Sequence, residues 1–78
     1  MGDRLVGVFA SVLDVPEAAL NDDSSPSNTP QWDSLATVNL TLAIESEFGV
    51  RLRARQIMSM TTIGLARDVL RTLGVSDP

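Results

Sequence analysis

The residues from Ser34 to Phe48 constrain the fold more than any other part of this 78-residue chain. Asp33 precedes them as a good helix N-cap, and Gly49 follows them at the position where helices commonly end in the left-handed conformation. Placed on a helix, the apolar residues of this segment point in nearly every direction. A helix that is apolar on most sides is contacted on most sides. The segment is therefore predicted to be the central helix of a small helical domain.

The chain begins with a predicted amphipathic helix from Asp3 to Asp14. Apolar residues fill one arc of this helix, and mostly charged residues fill the opposite arc. Val15 then precedes Pro16. The residue before a proline is pushed toward extended conformations, so the helix is predicted to end there.

A long connection follows, because residues 15–33 show no sustained periodicity. Residues 21–30 read NDDSSPSNTP, which has the composition of a loop. A connection this long in a small domain is usually functional or disordered. We expect Leu20 and Trp32 to hold it against the helices.

The last part of the chain predicts one short helical element and one longer helix. Arg51 to Met60 is predicted to form one or two short helical turns. Thr61 or Thr62 then caps a helix that runs to about Leu73, and the glycine after it ends the helix. The predicted fold is all-α: a four-helix bundle with three main helices, a short third helix and a long first loop.

The chain contains no cysteine and no histidine. Thiolate nucleophiles, disulfides, imidazole bases and His- or Cys-ligated metals are therefore excluded, and no metal site is expected. No apolar run approaches the roughly 20 residues that span a bilayer, and the first residues do not read as a signal peptide. We expect a cytoplasmic protein that is not an enzyme.

Charge is distributed unevenly along the chain, which carries a net charge of −4. Residues 1–50 hold eight acidic side chains and one arginine, whereas residues 51–78 hold five arginines and two acidic side chains. The acidic part repels nucleic acid and favours proteins with basic patches.

Ser34 lies at the predicted start of the central helix, directly after the long loop. Unpaired backbone N–H groups and the helix dipole favour a phosphate at this end of a helix. A serine at this position can therefore carry a phosphodiester. The tripeptide Asp33-Ser34-Leu35 is by itself a weak motif, because Asp and Ser are common at helix starts.

The wider sequence is more specific. WDSLATVNL at residues 32–40 and LAIESEFGV at residues 42–50 closely resemble the acyl carrier protein family. The resemblance extends over almost the whole chain. It implies a single acyl carrier protein domain over residues 1–78, with the four-helix bundle of that family, acting as a monomer.

In that family the serine of Asp-Ser-Leu receives 4′-phosphopantetheine from coenzyme A, which here implies Ser34. A phosphopantetheinyl transferase would attach the arm, with Mg²⁺ belonging to that enzyme. The arm's thiol would hold acyl groups as thioesters. Further partners would be an acyl-loading ligase or acyltransferase and synthase, condensing or modifying enzymes, but neither nucleic acid nor a membrane.

The resemblance also implies roles for other side chains. Asp33 and Leu35 would help to dock the transferase, and Glu45 and Glu47 would meet basic patches on partner enzymes. The residues that would line a space for the acyl chain are Val38, Leu42, Ile57, Met58 and Ile63.

The sequence departs from the best-known family members at three places. Trp32 stands where a small residue is usual, and Asn39 replaces a common acid of the central helix. Arg51, Arg53 and Arg55 stand where carriers of primary fatty acid synthesis are acidic. These departures favour a carrier of specialised metabolism, such as polyketide, lipopeptide or antibiotic biosynthesis, over fatty acid biosynthesis.

Three alternatives remain open. A peptidyl or aminoacyl carrier would hold an amino acid, but such carriers usually show a Gly-Gly-x-Ser start that is absent here. A helical interaction module would use Asp33 and Ser34 only as an ordinary cap. A small enzyme that works with carboxylates is the third.

Overall fold

A computed structural model describes residues 3–78, and within them the chain forms four α-helices, one turn of 3₁₀ helix and no strand. This confirms the predicted all-α four-helix bundle with a long first loop. The helices are α1 (Arg4–Leu13), α2 (Ser34–Phe48), α3 (Ala54–Ser59) and α4 (Ile63–Thr72), and the 3₁₀ turn is Glu17–Ala19.

Side-chain caps explain where the three long helices begin. Asp3, Asp33 and Thr62 each accept a hydrogen bond from a backbone N–H two or three residues further on, at 2.8–3.1 Å. These bonds satisfy N–H groups that have no partner inside the helix. Asp3 and Asp14, predicted as the ends of the first helix, are its two caps.

The ends of α2 and α4 also agree with the sequence. Gly49 caps α2 with φ +64°, in the left-handed region that glycine tolerates best. The last helix ends at Thr72, and Leu73 is its C-cap. Gly74 follows with φ +92°.

The hydrophobic core lies between α1, α2 and α4. Phe9 packs edge-on against Trp32, with ring centroids 5.1 Å apart. Leu20 and Trp32 are both buried, which confirms that they hold the loop against the helices. The largest of the fully buried side chains at the centre are Leu5, Phe9, Ile44, Ile63 and Leu70.

The prediction that α2 is contacted on most sides is wrong. Its buried residues form one stripe of Ala36, Leu40 and Ile44. Apolar side chains on the opposite side of the helix are exposed, because α3 is only six residues long and covers a small part of α2. The helix therefore keeps an uncovered apolar surface.

The first loop is tied to α4 by contacts between residues distant in the sequence. The N–H groups of Ile63 and Gly64 donate to the carbonyl oxygens of Ser24 (3.1 Å) and Asp22 (2.9 Å). Arg67 Nη2 also binds Asp22 Oδ1 at 2.9 Å. The loop thus satisfies the first N–H groups of α4.

None of the helices formed by residues 3–78 combines the length and the apolar composition that crossing a bilayer requires.

Candidate functional site

Ser34 is the first residue of α2, and it is exposed. Among residues 3–78 its hydroxyl has no hydrogen-bond partner. The serine therefore lies where the sequence predicted it, and its hydroxyl is accessible to an enzyme.

The surroundings of this hydroxyl favour an anion. Asp33 Oδ1 accepts a hydrogen bond from the N–H of Ala36 at 2.8 Å and so begins the helix. Within the described residues, the N–H groups of Ser34 and Leu35 have no acceptor. They lie at the positive end of the α2 dipole, where a phosphate is favoured.

Trp32 fixes the chain just before the serine. Its ring is buried against Phe9, and its Nε1 donates to Thr37 Oγ1 at 3.3 Å. Thr37 Oγ1 in turn donates to the carbonyl oxygen of Asp33 at 3.1 Å. The segment that enters α2 is therefore held by the core on one side and by the first turn of the helix on the other. The sequence did not reveal this role of Thr37.

Four large apolar side chains of α2 and α3 are exposed. Leu35 is 71% exposed and Met58 is 78% exposed, while Val38 and Leu42 each expose more than half of their surface. Leu35, Val38 and Leu42 follow one another at helical spacing on α2. Large apolar side chains grouped in this way indicate an interaction surface.

A groove of about 190 Å³ lies between α2 and α3, and its exposed walls are almost wholly apolar. It brings together three residues of the predicted acyl space: Val38, Leu42 and Ile57. The other two predicted residues do not line it. Ile63 is completely buried in the core, and Met58 is exposed to solvent.

Thr37 and Thr41 complete the walls of this groove, and the sequence did not predict them. The hydroxyl of Thr41 donates to the carbonyl oxygen of Thr37 at 2.8 Å, and that of Thr37 donates to Asp33. Their hydroxyl protons are therefore used within the helix. The only sequence signal for these two residues is their spacing, because Thr37 lies one helical turn before Thr41.

The two acids predicted to meet partner enzymes already have partners within the chain. Glu45 Oε2 accepts from the N–H of Leu52 at 2.8 Å. Glu47 Oε2 pairs with Arg4 Nε at 2.8 Å, with both side chains about half exposed. Arg4 also lies over the ring of Phe48. Recognition of partners by Glu45 and Glu47 stays a prediction.

A second, larger groove of about 390 Å³ lies between α1 and α2 and is lined by Gly7, Ser11 and Ala43 among others. Of the predicted site residues it contains only Glu47. The volume of a groove therefore does not identify the functional site. The free hydroxyl of Ser34 identifies it better, because a hydroxyl is a group that can react.

Fold and site together define a small helical bundle that presents a serine hydroxyl at the start of its second main helix. The family model described as "phosphopantetheine attachment site" matches residues 3–70. Because the match covers most of the chain, the protein belongs to this family of phosphopantetheine carriers, in agreement with the acyl carrier protein resemblance.

Members of this family bear 4′-phosphopantetheine covalently, and the residues present fit that group. The group needs an exposed, unpartnered hydroxyl, which Ser34 has, and a place for a phosphate, which the unpaired N–H groups provide. Carriers of this kind interact with the enzymes that modify them and with synthases, and their carrier domains are not catalytic themselves.

Proposed function

We propose that Ser34 is the attachment site for 4′-phosphopantetheine and that the protein carries acyl groups. The observation that supports this most directly is the exposed, unpartnered hydroxyl of Ser34 at the first position of α2, in a chain of the phosphopantetheine family. When bound, the group supplies a terminal thiol that holds the acyl chain as a thioester.

Attachment is a phosphoryl transfer that a phosphopantetheinyl transferase carries out. The Oγ of Ser34 forms a bond to the phosphorus that bears the pantetheine of coenzyme A. The bond from that phosphorus to the second phosphate breaks, and 3′,5′-adenosine diphosphate leaves. In this proposal the transferase takes the hydroxyl proton and supplies the Mg²⁺. This chain has no histidine that could act as the base. This chain contributes the position of the oxygen.

Asp33 and Leu35 take part in recognition by the transferase in this proposal. Leu35 is 71% exposed directly beside Ser34, so an enzyme that reaches the serine meets its side chain. Asp33 sets the start of the helix and therefore the place from which the hydroxyl is presented.

The groove between α2 and α3 supports an acyl cargo rather than an amino acid. Its walls from Val38, Leu42 and Ile57 offer no charged partner for an ammonium group. Its volume lies below the roughly 300–1,000 Å³ of pockets for drug-sized ligands, so it suits a short acyl chain.

We infer further that the carrier serves specialised metabolism, such as polyketide or lipopeptide biosynthesis. The support comes from two features. Residues 34–44 of α2 carry no charge and expose Asn39, and three exposed arginines, Arg51, Arg53 and Arg55, follow α2. In this proposal the chain is a single, non-catalytic, monomeric domain. An acyl-loading ligase or acyltransferase loads it, and condensing or modifying enzymes use the cargo. The cytoplasmic location stays a prediction from the sequence.

Intact mass spectrometry tests the attachment site. The protein incubated with coenzyme A, Mg²⁺ and a broad-specificity transferase is expected to gain the mass of one phosphopantetheine. Ser34→Ala should gain nothing, whereas Ser46→Ala, which removes another exposed serine of α2, should be modified like the wild type. A wild-type chain that gains no mass, while a known carrier in the same reaction does, would contradict the proposal and favour an interaction module.

The cargo is tested on protein purified from its native host. The mass of the species bound through the thiol is measured before and after treatment with acetic anhydride. Only an amino acid carries an amine that acetic anhydride modifies, so only an aminoacyl species gains mass. An amino acid on the thiol would contradict the assignment as an acyl carrier and favour a peptidyl or aminoacyl carrier.

A further inference from the structure

Three arginines between α2 and α4 differ from the other basic residues of the chain. Arg51, Arg53 and Arg55 are exposed, and within residues 3–78 none of them has a carboxylate at salt-bridge distance. Every other arginine is paired with at least one carboxylate. These paired residues are Arg4, Arg67 and Arg71. Among the side chains of residues 3–78, positive charge is therefore left without a carboxylate partner in this segment only.

This segment runs back along α2 toward Ser34. The N–H of Leu52 donates to Glu45 Oε2 at 2.8 Å, which holds the start of the segment beside the last turns of α2. Further along, Ile57 forms a wall of the groove with Val38. Val38 is four residues from Ser34, which is about 6 Å along a helix.

The part of α2 that follows Ser34 is uncharged and presents several apolar side chains. No residue of α2 between Ser34 and Ile44 carries a charge. Met58, the most exposed large apolar residue, lies one turn after Arg55 on α3. We define the docking face as seven exposed residues of α2, α3 and the segment before α3. They are Leu35, Val38, Leu42, Arg51, Arg53, Arg55 and Met58.

We propose that the docking face binds partner enzymes whose contact surface is apolar and carries carboxylates opposite Arg51, Arg53 and Arg55. This inference rests on the proposed function, because the partner must reach the arm on Ser34. Glu45 and Glu47 predicted a basic partner surface, whereas this proposal predicts an acidic one. The carboxylates of Glu45 and Glu47 are already engaged within the chain. A nucleic acid is disfavoured, because the chain carries a net charge of −4.

Charge complementarity supports the choice of an acidic partner. Unpaired guanidinium groups at the rim of an apolar surface raise the association rate with a surface of opposite charge and reject one of like charge. The apolar centre supplies the buried contact area, and the rim supplies the specificity.

The test compares two triple variants with the same net charge. The first is R51Q/R53Q/R55Q. The control adds three acids at exposed positions outside the docking face, as A18E/S27E/S76E. Each set lowers the net charge by three, from −4 to −7. The probes are the transferase of the native host and the purified enzymes encoded beside this chain, and the readout is kcat/KM at low and at high ionic strength.

The arginine variant is expected to lose roughly tenfold in kcat/KM at low ionic strength with at least one of these enzymes, and less at high ionic strength. The control variant should change less than about twofold. Equal values for the two variants with every enzyme would overturn the proposal. Faster reaction of the arginine variant would also overturn it, because the partner surface would then be basic.

Two further measurements separate this proposal from its alternatives. The endpoint mass of both variants after long incubation with the transferase reports on attachment, so a failure of the proposed function shows as a missing phosphopantetheine in every protein. Binding of the unmodified chain to phosphatidylserine vesicles that is lost in R51Q/R53Q/R55Q would overturn the protein partner in favour of a membrane surface.

The apolar part of the docking face has its own control. Met58→Gln is expected to lower kcat/KM, whereas Leu65→Gln changes a large exposed side chain of α4 and should leave it unchanged. Equal loss in both variants would mean that the effect is not local to the docking face.

Discussion

Residues 51–78 hold five of the six arginines, and the arginines of α4 differ in their contacts from those before and in α3. Arg67 is only 12% exposed and binds Asp3 at 2.8 Å and Asp22 at 2.9 Å, and it also donates to the carbonyl oxygen of Pro78. Arg53 and Arg55 are exposed and have no carboxylate partner within residues 3–78. One region is held together by its charges, and the other presents them to solvent.

This difference shows how a small domain divides its few contacts. Arg67 joins α4 to the cap of α1, to the first loop and to Pro78. Because a domain of 78 residues has a small hydrophobic core, these polar contacts add stability that the core does not supply. Apolar side chains of α2 and α3 are left uncovered. We expect stability to depend on the first region and partner recognition on the second.

The largest effect expected from breaking this contrast is on stability. Arg67→Ala removes a poorly exposed guanidinium with acceptors on three other segments and should lower the free energy of unfolding by about 2 kcal/mol. Arg55→Ala should change it by less than about 0.5 kcal/mol. Urea unfolding followed by the fluorescence of Trp32 measures both. Equal losses would show that the two regions do not differ.

The close approach of the loop to α4 is tested by a pair of glycines. A Cβ at Gly64 would lie 3.1 Å from the carbonyl oxygen and 3.2 Å from the Cβ of Asp22, so Gly64→Ala should destabilise by about 1 kcal/mol. At Gly7, inside α1, the nearest atom is a side-chain oxygen of Glu17 at 4.0 Å. Gly7→Ala should therefore stabilise by about 0.5–1 kcal/mol. A stabilising Gly64→Ala would contradict the tight packing of the loop.

Two helix caps separate stability from function. Asp33→Ala and Thr62→Ala each remove a side chain that accepts a backbone N–H, and each should cost about 1 kcal/mol of stability. Only Asp33→Ala should also lower kcat/KM of the phosphopantetheinyl transferase, because only that cap positions Ser34. An equal drop in both variants would mean that transfer responds to stability alone.

The smallest effect is a dependence on acid pH. Partial burial raises the pKa of the Asp3 carboxyl, but hydrogen bonds from Arg67 and from the N–H groups of Val6 and Leu5 outweigh it. The pKa therefore lies below its ordinary value of 3.8. The stabilisation from this carboxylate is thus present above pH 3.8 and is lost as the pH falls through the folded-state pKa.

In Asp3→Asn the free energy of unfolding should therefore decrease less steeply below pH 4 than in Asp68→Asn. The second variant removes a carboxylate that is paired with Arg71 on the surface. The difference should be small, because the Asp3 side chain is 40% exposed and solvent screens it. Urea midpoints between pH 3 and pH 6 provide the measurement. Identical curves for the two variants would assign no special role to Asp3.

The sequence by itself determined the helices, their caps and the place of Ser34. These features depend on residues within one or two turns of each other, as with Asp33 and the N–H of Ala36 or Gly49 at the end of α2. Local patterns of apolar residues and of capping side chains carry that information, so it can be read before the chain is folded.

Only the tertiary structure decided which surfaces are covered and which charges are paired. Arg67 binds acids that lie 64 and 45 residues away, and Glu45 binds a backbone N–H beyond the end of its own helix. The exposure of Leu35 and Leu42 depends on how little of α2 the six-residue α3 covers. Such contacts join segments that are distant in the sequence, and no local pattern specifies which side of an apolar helix its neighbours will leave open.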